Sequence, residues 1–257
     1  MTHKLAKSLV TAMAFILPMS PLQAQEQDSD ESENHIAAGV GFLDQYAPFN
    51  SATSQANLLP IISIKQGAFY FEVAETGFQF EKETGSIKPS VNLFVAARSP
   101  GGRDRQKLSI DAGARFSLES KLGIVSAEVR HDVTEKFNGS EVIARYSYPI
   151  STGRFLITPS VQASWLDEKA ANYMYGVTTV QRARMIRKGR RTILPVTAIL
   201  DDALNLGGDI SMAMQLNDRL TLIAMAGATA LDKSIHKSRA IEQKWEAQSL
   251  LGLTYRF

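Results

Sequence analysis

The last fourteen residues, Lys244 to Phe257, alternate without a break between an apolar set and a mostly polar set. Successive side chains of a strand point to opposite faces, so this segment predicts a strand with one apolar and one polar face. The apolar set begins at Trp245 and ends at Tyr255 and Phe257. An apolar band between aromatic girdles is typical of outer-membrane β-barrels. A half-buried strand of a soluble β-sandwich is the alternative, because alternation in one strand is a weak signal.

The first 24 residues indicate export from the cytoplasm. Lys4 and Lys7 form a basic start, Leu9 to Met19 is apolar, and a small-residue cleavage site ends at Ala24. This pattern predicts a secretory signal peptide cleaved after Ala24, and an uncleaved membrane anchor is the alternative. Residues 25–34 are strongly acidic and without apolar periodicity, so they predict a flexible N-terminal segment.

Charge and cysteine content exclude several classes of function. The chain has 28 Lys and Arg and 26 Asp and Glu, and the leader contains two of these cations and no acid. The mature chain therefore carries 26 charges of each sign, so its net charge gives no reason to expect nucleic-acid binding. The absence of cysteine excludes disulfides, thiolate metal sites and a cysteine nucleophile.

Period-2 segments recur through the chain and predict strands. The clearest are Ile87–Arg98, Leu108–Leu118, Leu122–Asp132, Ser140–Ile150, Arg154–Trp165 and Leu204–Leu216. Weaker segments are His35–Leu43, Asn57–Lys65, Ala68–Glu75 and Gly77–Lys82. Most of them exceed the roughly 5–6 residues of an ordinary strand and suit the roughly 9–11 residues of a tilted spanning strand.

The connections between these segments alternate in length. Tight polar turns lie at residues 119–121, 151–153 and 217–218, and longer links lie near residues 99–106, 132–139, 166–203 and 232–243. Outer-membrane barrels have short periplasmic turns and longer extracellular loops. We therefore predict an all-β fold over residues 35–257, a transmembrane antiparallel up-and-down barrel of about twelve strands with both termini in the periplasm. Ten strands is the alternative count.

The polar faces of the predicted strands carry charges of both signs. The candidate lumen charges are Asp111, Arg115, Glu128, Arg130, Glu141, Arg145, Asp209 and Glu246. Charges in a narrow lumen must find partners, so we expect ion pairs that largely close it. A small water-filled channel is the alternative, although a strongly selective pore would show one dominant sign.

The long link between residues 166 and 203 contains a dense cationic run. Its members are Arg182, Arg184, Arg187, Lys188, Arg190 and Arg191. If the link is extracellular, the expected partner is the phosphate of lipopolysaccharide or another anionic surface. The alternative is a solvated loop tip. A short helix is expected over Asn172–Arg184, although Thr178 and its neighbours are weak helix formers.

Motifs for catalysis or cofactors are missing from the sequence. It contains no serine-hydrolase elbow, zinc-protease motif, phosphate loop or calcium loop. The histidines of the mature chain, His35, His131 and His236, lack metal-ligand spacing. A barrel hydrolase built on His131 and Ser126 is a minor alternative, since the phase of the strand turns His131 towards lipid. We therefore expect no enzyme activity, metal or cofactor.

Three segments resemble one family. They are Tyr173–Gln181, the stretch from Leu194-Pro195 through Leu200–Asp202 to Leu206–Gly208, and the ending Leu251–Phe257. On these segments and the spacing of the turns, the chain resembles the MipA/OmpV family of outer-membrane proteins. It departs from the family pattern in its cationic run from Arg182 to Arg191, and in its early strands, where Tyr46-Ala47-Pro48 is the nearest match to an acidic, Tyr-containing loop.

The resemblance implies a non-enzymatic scaffold in the outer membrane of a Gram-negative cell. Family members bind a murein lytic transglycosylase and a bifunctional murein synthase, and others are linked to adhesion and antibiotic susceptibility. The expected partners are these murein enzymes, outer-membrane lipid, lipopolysaccharide and the barrel-assembly machinery, which would read a C-terminal signal at Tyr255 and Phe257. A small pore or uptake channel and a surface adhesin acting through residues 166–203 are the alternative functions.

Overall fold

A computed structural model describes residues 34–49, 55–82, 85–98, 108–190 and 192–257. The predicted signal peptide, its cleavage site and the acidic segment as far as Glu33 lie outside the described residues, as does Arg191.

Twelve antiparallel strands form a closed barrel in the part of the chain that the structure describes. They are β1 (His35–Tyr46), β2 (Gln55–Gln66), β3 (Phe69–Glu72), β4 (Glu75–Glu81), β5 (Ile87–Arg98), β6 (Ser109–Ser120), β7 (Gly123–Asp132), β8 (Ser140–Ser147, continued as Ile150–Thr152), β9 (Phe155–Leu166), β10 (Ala203–Gln215), β11 (Leu220–Ala230) and β12 (Trp245–Arg256). Each strand pairs with the next, and β12 pairs with β1 to close the sheet. The predicted all-β, twelve-stranded fold is confirmed.

Both ends of the barrel segment lie at one rim, because the number of strands is even. We call this the periplasmic rim and the opposite one the extracellular rim, following the orientation of bacterial outer-membrane barrels. The periplasmic rim carries short turns, such as Lys121-Leu122 and Gly153-Arg154. The extracellular rim carries the long links, including residues 167–202.

In the hairpin of β3 and β4, the first strand is shorter than the predicted Ala68–Glu75, and the second begins before the predicted Gly77. The chain turns at Val73-Ala74, with Val73 in the left-handed region at a φ of 48°. A β-branched residue rarely adopts this conformation, and here Val73 packs against an apolar cluster inside the barrel. Glu75 therefore begins β4, whereas the sequence predicted that it ended the preceding strand.

This short hairpin lowers the barrel wall between β2 and β5. The amide of Val73 donates to the carbonyl of Ile62 at 2.9 Å, and that of Ala97 donates to the carbonyl of Ala74 at 2.8 Å. Beyond these bonds β2 continues through residues 55–61, which pair with β1 on one side and with no described strand on the other. We call this region the low sector of the wall.

The two faces of the barrel differ as the alternation predicted. Outward residues are apolar and exposed, as at Val161 and Leu251, with 59% and 56% of their surface accessible. Lipid contact accounts for this exposure, since a transmembrane barrel has an apolar outer band. Inward residues are buried, as at Asp111 and Ser147.

The lumen is more polar on one side than on the other. Strands β4 to β10 carry the charges described below, apart from Glu246 of β12, whereas β1, β2, β11 and β12 contribute the apolar cluster Leu43, Leu59, Ile223, Met225 and Leu250. Glycines make room for this cluster: a Cβ at Gly252 would lie 2.6 Å from Ile61 Cδ1. The mostly polar face predicted for β12 includes Leu250 and Gly252, and both of these residues pack inside the barrel.

Three helices lie in the extracellular links: α1 (Glu168–Tyr175), α2 (Thr179–Arg187) and α3 (Lys233–His236). The single helix expected over Asn172–Arg184 is wrong, because α1 ends at Tyr175 and Thr178 caps a new helix. The amide of Gln181 donates to Thr178 Oγ1 at 3.2 Å, and the amide of Thr178 donates to Gln181 Oε1 at 2.7 Å. None of the described helices has the length and apolarity needed to cross a membrane.

The helices pack into a second core at the extracellular rim, which we call the cap. Its buried members include Phe49, Leu166, Tyr173, Met174, Val177, Met185, Leu194, Leu200, Leu231, Ile235 and Ile241. These residues come from the links after β1, β9 and β11, and Phe137 after β7 stacks on Tyr173 at 4.2 Å. Because the links arise around the rim, the cap lies across the extracellular mouth.

Replacing Asp167 with alanine should loosen the cap. Asp167 accepts from the amide of Ala170 at 2.8 Å, as the N-cap of α1, and from the amide of Ser140 at 2.7 Å. Loss of an N-cap costs about 1–2 kcal/mol. We expect faster proteolysis within residues 167–202 of the folded barrel, measured by limited digestion. Asp201→Ala, at an exposed position, is the control, and equal digestion of both variants would contradict the prediction.

Candidate functional site

An ion-pair network lies in the extracellular half of the lumen. Arg98 Nε donates to Asp111 Oδ2 at 2.5 Å, and Arg98 Nη2 donates to Glu141 Oε2 at 2.6 Å. Ser164 donates to the other oxygen of Glu141. One guanidinium thus joins β5, β6 and β8 across the lumen, and none of the three ionised side chains is more than slightly exposed.

A second network lies deeper in the barrel and centres on Glu128. Its Oε2 accepts from Arg115 Nε at 2.6 Å, and its Oε1 accepts from Arg130 Nε at 2.6 Å. Arg115 also donates to both oxygens of Glu75, at 3.0 and 3.2 Å. The ring of Phe94 lies under both cations, 5.0 Å from Arg115 and 5.6 Å from Arg130. These contacts fill the middle of the lumen.

The remaining predicted charges also have partners. Arg145 pairs with Asp209 and donates to Gln162 Oε1 at 3.1 Å. Glu246 accepts from Tyr175 Oη at 3.1 Å, which ties the end of α1 to β12. All eight candidate lumen charges therefore lie on inward faces, and seven of them form ion pairs with other lumen residues.

Sequence reasoning missed three members of this arrangement. Glu75 was placed at a strand end, and only the tight turn at Val73 brings it into the lumen. Tyr175 was treated as part of a loop helix, although it is buried beside Glu246. Phe94 stood on a predicted inward face, but its stacking under two cations has no sequence signal because it depends on the register of β5 against β6.

The cationic run lies on the outer side of the cap. Gln181 and Met185 turn into the core of the cap. Exposed positions of the run are Arg182, Arg187 and Lys188, and half-buried ones are Arg184 and Arg190. Val180 and Ile186 are exposed among them, at 69% and 51%. This surface is thus both cationic and apolar, and its binding to an anionic partner stays a prediction.

The C-terminal pair lies at the periplasmic rim. Tyr255 and Phe257 meet edge to face at 5.2 Å, and Arg219 Nη1 donates to Tyr255 Oη at 2.9 Å. Their role as an assembly signal stays a prediction.

His131 and Ser126 do not meet. Ser126 faces the lumen and lies among the polar residues of its periplasmic half, whereas His131 is exposed and contacts Ser140 Oγ at 2.8 Å and Asn138 Oδ1 at 3.2 Å. The described residues also contain no group of three or more His, Asp or Glu side chains placed to hold a metal ion.

Comparisons with known proteins agree with the barrel. Residues 36–257 match the family described as MltA-interacting protein MipA. The chain is 21% identical to the MltA-interacting protein of Escherichia coli (strain K12), covering 88% of this chain and 91% of that protein. It is 24% identical to YiaT of the same strain, named as an outer membrane protein, over 88% of this chain and 92% of that protein.

Among solved structures, an outer membrane channel from Pseudomonas putida F1 is similar at 9% identity with a TM-score of 0.42, covering 91% of this chain and 100% of that chain. The family match carries more weight, because it spans all twelve strands almost from end to end. The chain is an outer-membrane β-barrel that belongs to the MipA family.

Proposed function

We propose that this barrel is a non-enzymatic scaffold that holds murein-cleaving and murein-synthesising enzymes at the outer membrane. The family match supports the proposal, since a relative of similar length is named for its interaction with MltA, and the family resemblance implies a murein lytic transglycosylase as a partner. The filled lumen is the structural observation that carries it. The ion pairs inside the barrel and the cap at its extracellular rim support this view, because they leave the rims as the surfaces that a protein partner can contact.

The periplasmic rim is the surface that we assign to these partners. It combines apolar and charged side chains in short turns: Leu122 is 80% exposed and Phe257 is 79% exposed. Lys121 and Arg154 lie in exposed turns at the same rim. Exposed apolar groups next to charges are common at sites of protein association. The acidic segment Glu26–Glu33 would add to this surface.

Site-specific photo-cross-linking in intact cells tests the proposal. A photoreactive residue replaces Lys121 or Asp218 at the periplasmic rim, and Arg187 on the cap is the matched exposed control. We expect adducts with a lytic transglycosylase or a murein synthase from the rim positions alone, identified by mass spectrometry. Rim adducts that contain neither enzyme, in cells where both are expressed, would overturn the scaffold function.

A second function, binding of an anionic cell-surface molecule, is favoured by one observation. The outer side of α2 presents Arg182, Arg187 and Lys188 next to exposed Val180 and Ile186. Phosphate groups pair with such cations, while lipid chains would cover the apolar residues. Adducts at Arg187 with lipopolysaccharide would support this function. They would not bear on the scaffold proposal, which is tested by the adducts from the rim positions.

A further inference from the structure

The lumen is open at its periplasmic end. A cavity there, which we call the vestibule, lies under the Glu128 network between β4 and β8. Water-molecule centres can occupy about 90 Å³ of it, which is enough for several water molecules. Because the cap closes the other end, a ligand would reach the vestibule from the periplasm.

Hydroxyl groups form one wall of the vestibule. Ser90 pairs in register with Ser117, Ser117 with Ser126, and Ser126 with Arg145, so the four residues make one row across β5, β6, β7 and β8. All four line the cavity. Each hydroxyl can donate one hydrogen bond and accept two. The row therefore matches a ligand that itself presents neighbouring hydroxyls.

The charges in the deeper part of the vestibule are engaged with partners, and nearer the rim Lys88 and Glu119 lie opposite each other in the register of β5 and β6. Arg115 pairs with Glu128 and Glu75, and Arg145 pairs with Asp209. Glu81 accepts from Lys65 at 3.5 Å and from Gln79 at 2.5 Å. A strongly charged ligand would have to displace one of these partners and leave a buried charge unpaired, which is costly. A neutral ligand avoids that cost.

One polar atom beside the vestibule has no partner among the described residues. Arg145 is 8% exposed, and its Nε makes no hydrogen bond there although both terminal nitrogens do. Buried donors are rarely left unpaired, because each costs its full desolvation free energy. A ligand oxygen at the end of the serine row would satisfy this donor.

We propose that the vestibule is a binding site for a neutral, hydroxyl-rich ligand, a saccharide unit presented from the periplasm. Ser90, Ser117 and Ser126 would bond its hydroxyls, and Arg145 would donate to a ring or carbonyl oxygen. Ile124, which also lines the cavity, offers an apolar contact for the C–H face of the ring. The proposal goes beyond the scaffold function and does not depend on it.

Calorimetric titration of the full-length mature barrel tests the site. The barrel is purified in a zwitterionic detergent, because sugar-headed detergents would compete, and is titrated with N-acetylglucosamine and its β-1,4-linked dimer. The double variant Ser117→Ala/Ser126→Ala is expected to weaken binding about tenfold, since it removes two hydrogen bonds of modest net strength. Ser211→Ala, which removes a lumen-facing hydroxyl outside the vestibule, is the matched control and should bind like the wild type.

Several outcomes would overturn the proposal. They are the absence of saturable binding of either sugar to the wild type, equal affinity of the double variant and the wild type, and binding of phosphate or acetate in preference to the sugars. Gel mobility before and after heating verifies that each variant is folded. Cross-linking at the periplasmic rim does not depend on these serines, so the scaffold proposal can fail or succeed separately.

Discussion

Replacing Glu128 with alanine is expected to destabilise the barrel by about 3–5 kcal/mol, because removal of one partner leaves buried charges uncompensated. Glu128 is almost fully buried and is bonded to both Arg115 and Arg130. After the substitution, Arg115 keeps Glu75 as its partner and Arg130 loses its carboxylate in this network. Unfolding in urea, followed by the fluorescence of Trp165 and Trp245, measures the change.

Two further variants test whether the loss of stability comes from unpaired buried charges and not simply from the loss of a carboxylate. Glu168→Ala removes an exposed carboxylate at the start of α1. It should lower the free energy of unfolding by less than about 1 kcal/mol, because an exposed charge at a helix terminus contributes no more than that. Replacing Glu128 and Arg130 together with leucine or methionine, while Arg115 keeps Glu75 as its partner, should restore part of the lost stability, because apolar groups of similar volume often replace buried ions at little cost. A double variant that is less stable than Glu128→Ala would contradict this account.

Replacing Gly77 with alanine is expected to impair folding of the barrel. Gly77 lies in β4 opposite Phe94, and an added Cβ would lie 2.9 Å from Phe94 Cα, with the carbonyl oxygen of Leu93 closer still. Backbone atoms cannot move aside as a side-chain end can, so β4 must shift away from β5. We expect a loss of about 3 kcal/mol, at the upper end of overpacking effects, and a smaller folded fraction on gels run without heating.

Gly208→Ala is the matched control for this prediction. Gly208 is also a strand glycine, but its added Cβ would find its nearest neighbour, the carbonyl oxygen of Ser160, at 3.3 Å. A small adjustment accommodates that contact, so this variant should fold almost like the wild type. Equal folded fractions of the two variants would show that the approach of β4 to β5 tolerates a methyl group.

The fold was predictable because its signals are local and repeated. The bounds of β5, Ile87–Arg98, match the prediction, since polarity alternates from Ile87 to Leu93. The β3–β4 hairpin was harder, because Val73 gives no sequence signal for a left-handed turn and only its packing inside the barrel explains it. The break between α1 and α2 was visible in Thr178 and Gln181, a capping pair that the single-helix expectation overlooked.

The composition of the lumen was less predictable. Charges such as Arg115 and Glu128 were assigned to the interior from strand phase alone, but their partners depend on which strands become neighbours around the barrel. The apolar half was missed because Leu43, Leu59 and Leu250 are apolar residues on inward faces, where alternation predicts polar side chains. Nor does any local pattern reveal the serine row, since Ser90, Ser117 and Ser126 come together only through the registers of three strands.

The low sector of the wall makes the height of the apolar surface differ from one side of the barrel to the other. Because β3 and β4 are short, lipid beside their hairpin faces a shorter apolar surface than lipid beside the other strands. The backbone groups of β2 above the hairpin cannot be left in hydrocarbon, which offers them no hydrogen bonds. The bilayer must thin on that side or the barrel must lean, at a cost of fractions of a kcal/mol per ångström. The bilayer around the barrel is therefore uneven in thickness, and this unevenness biases the side from which other membrane proteins approach.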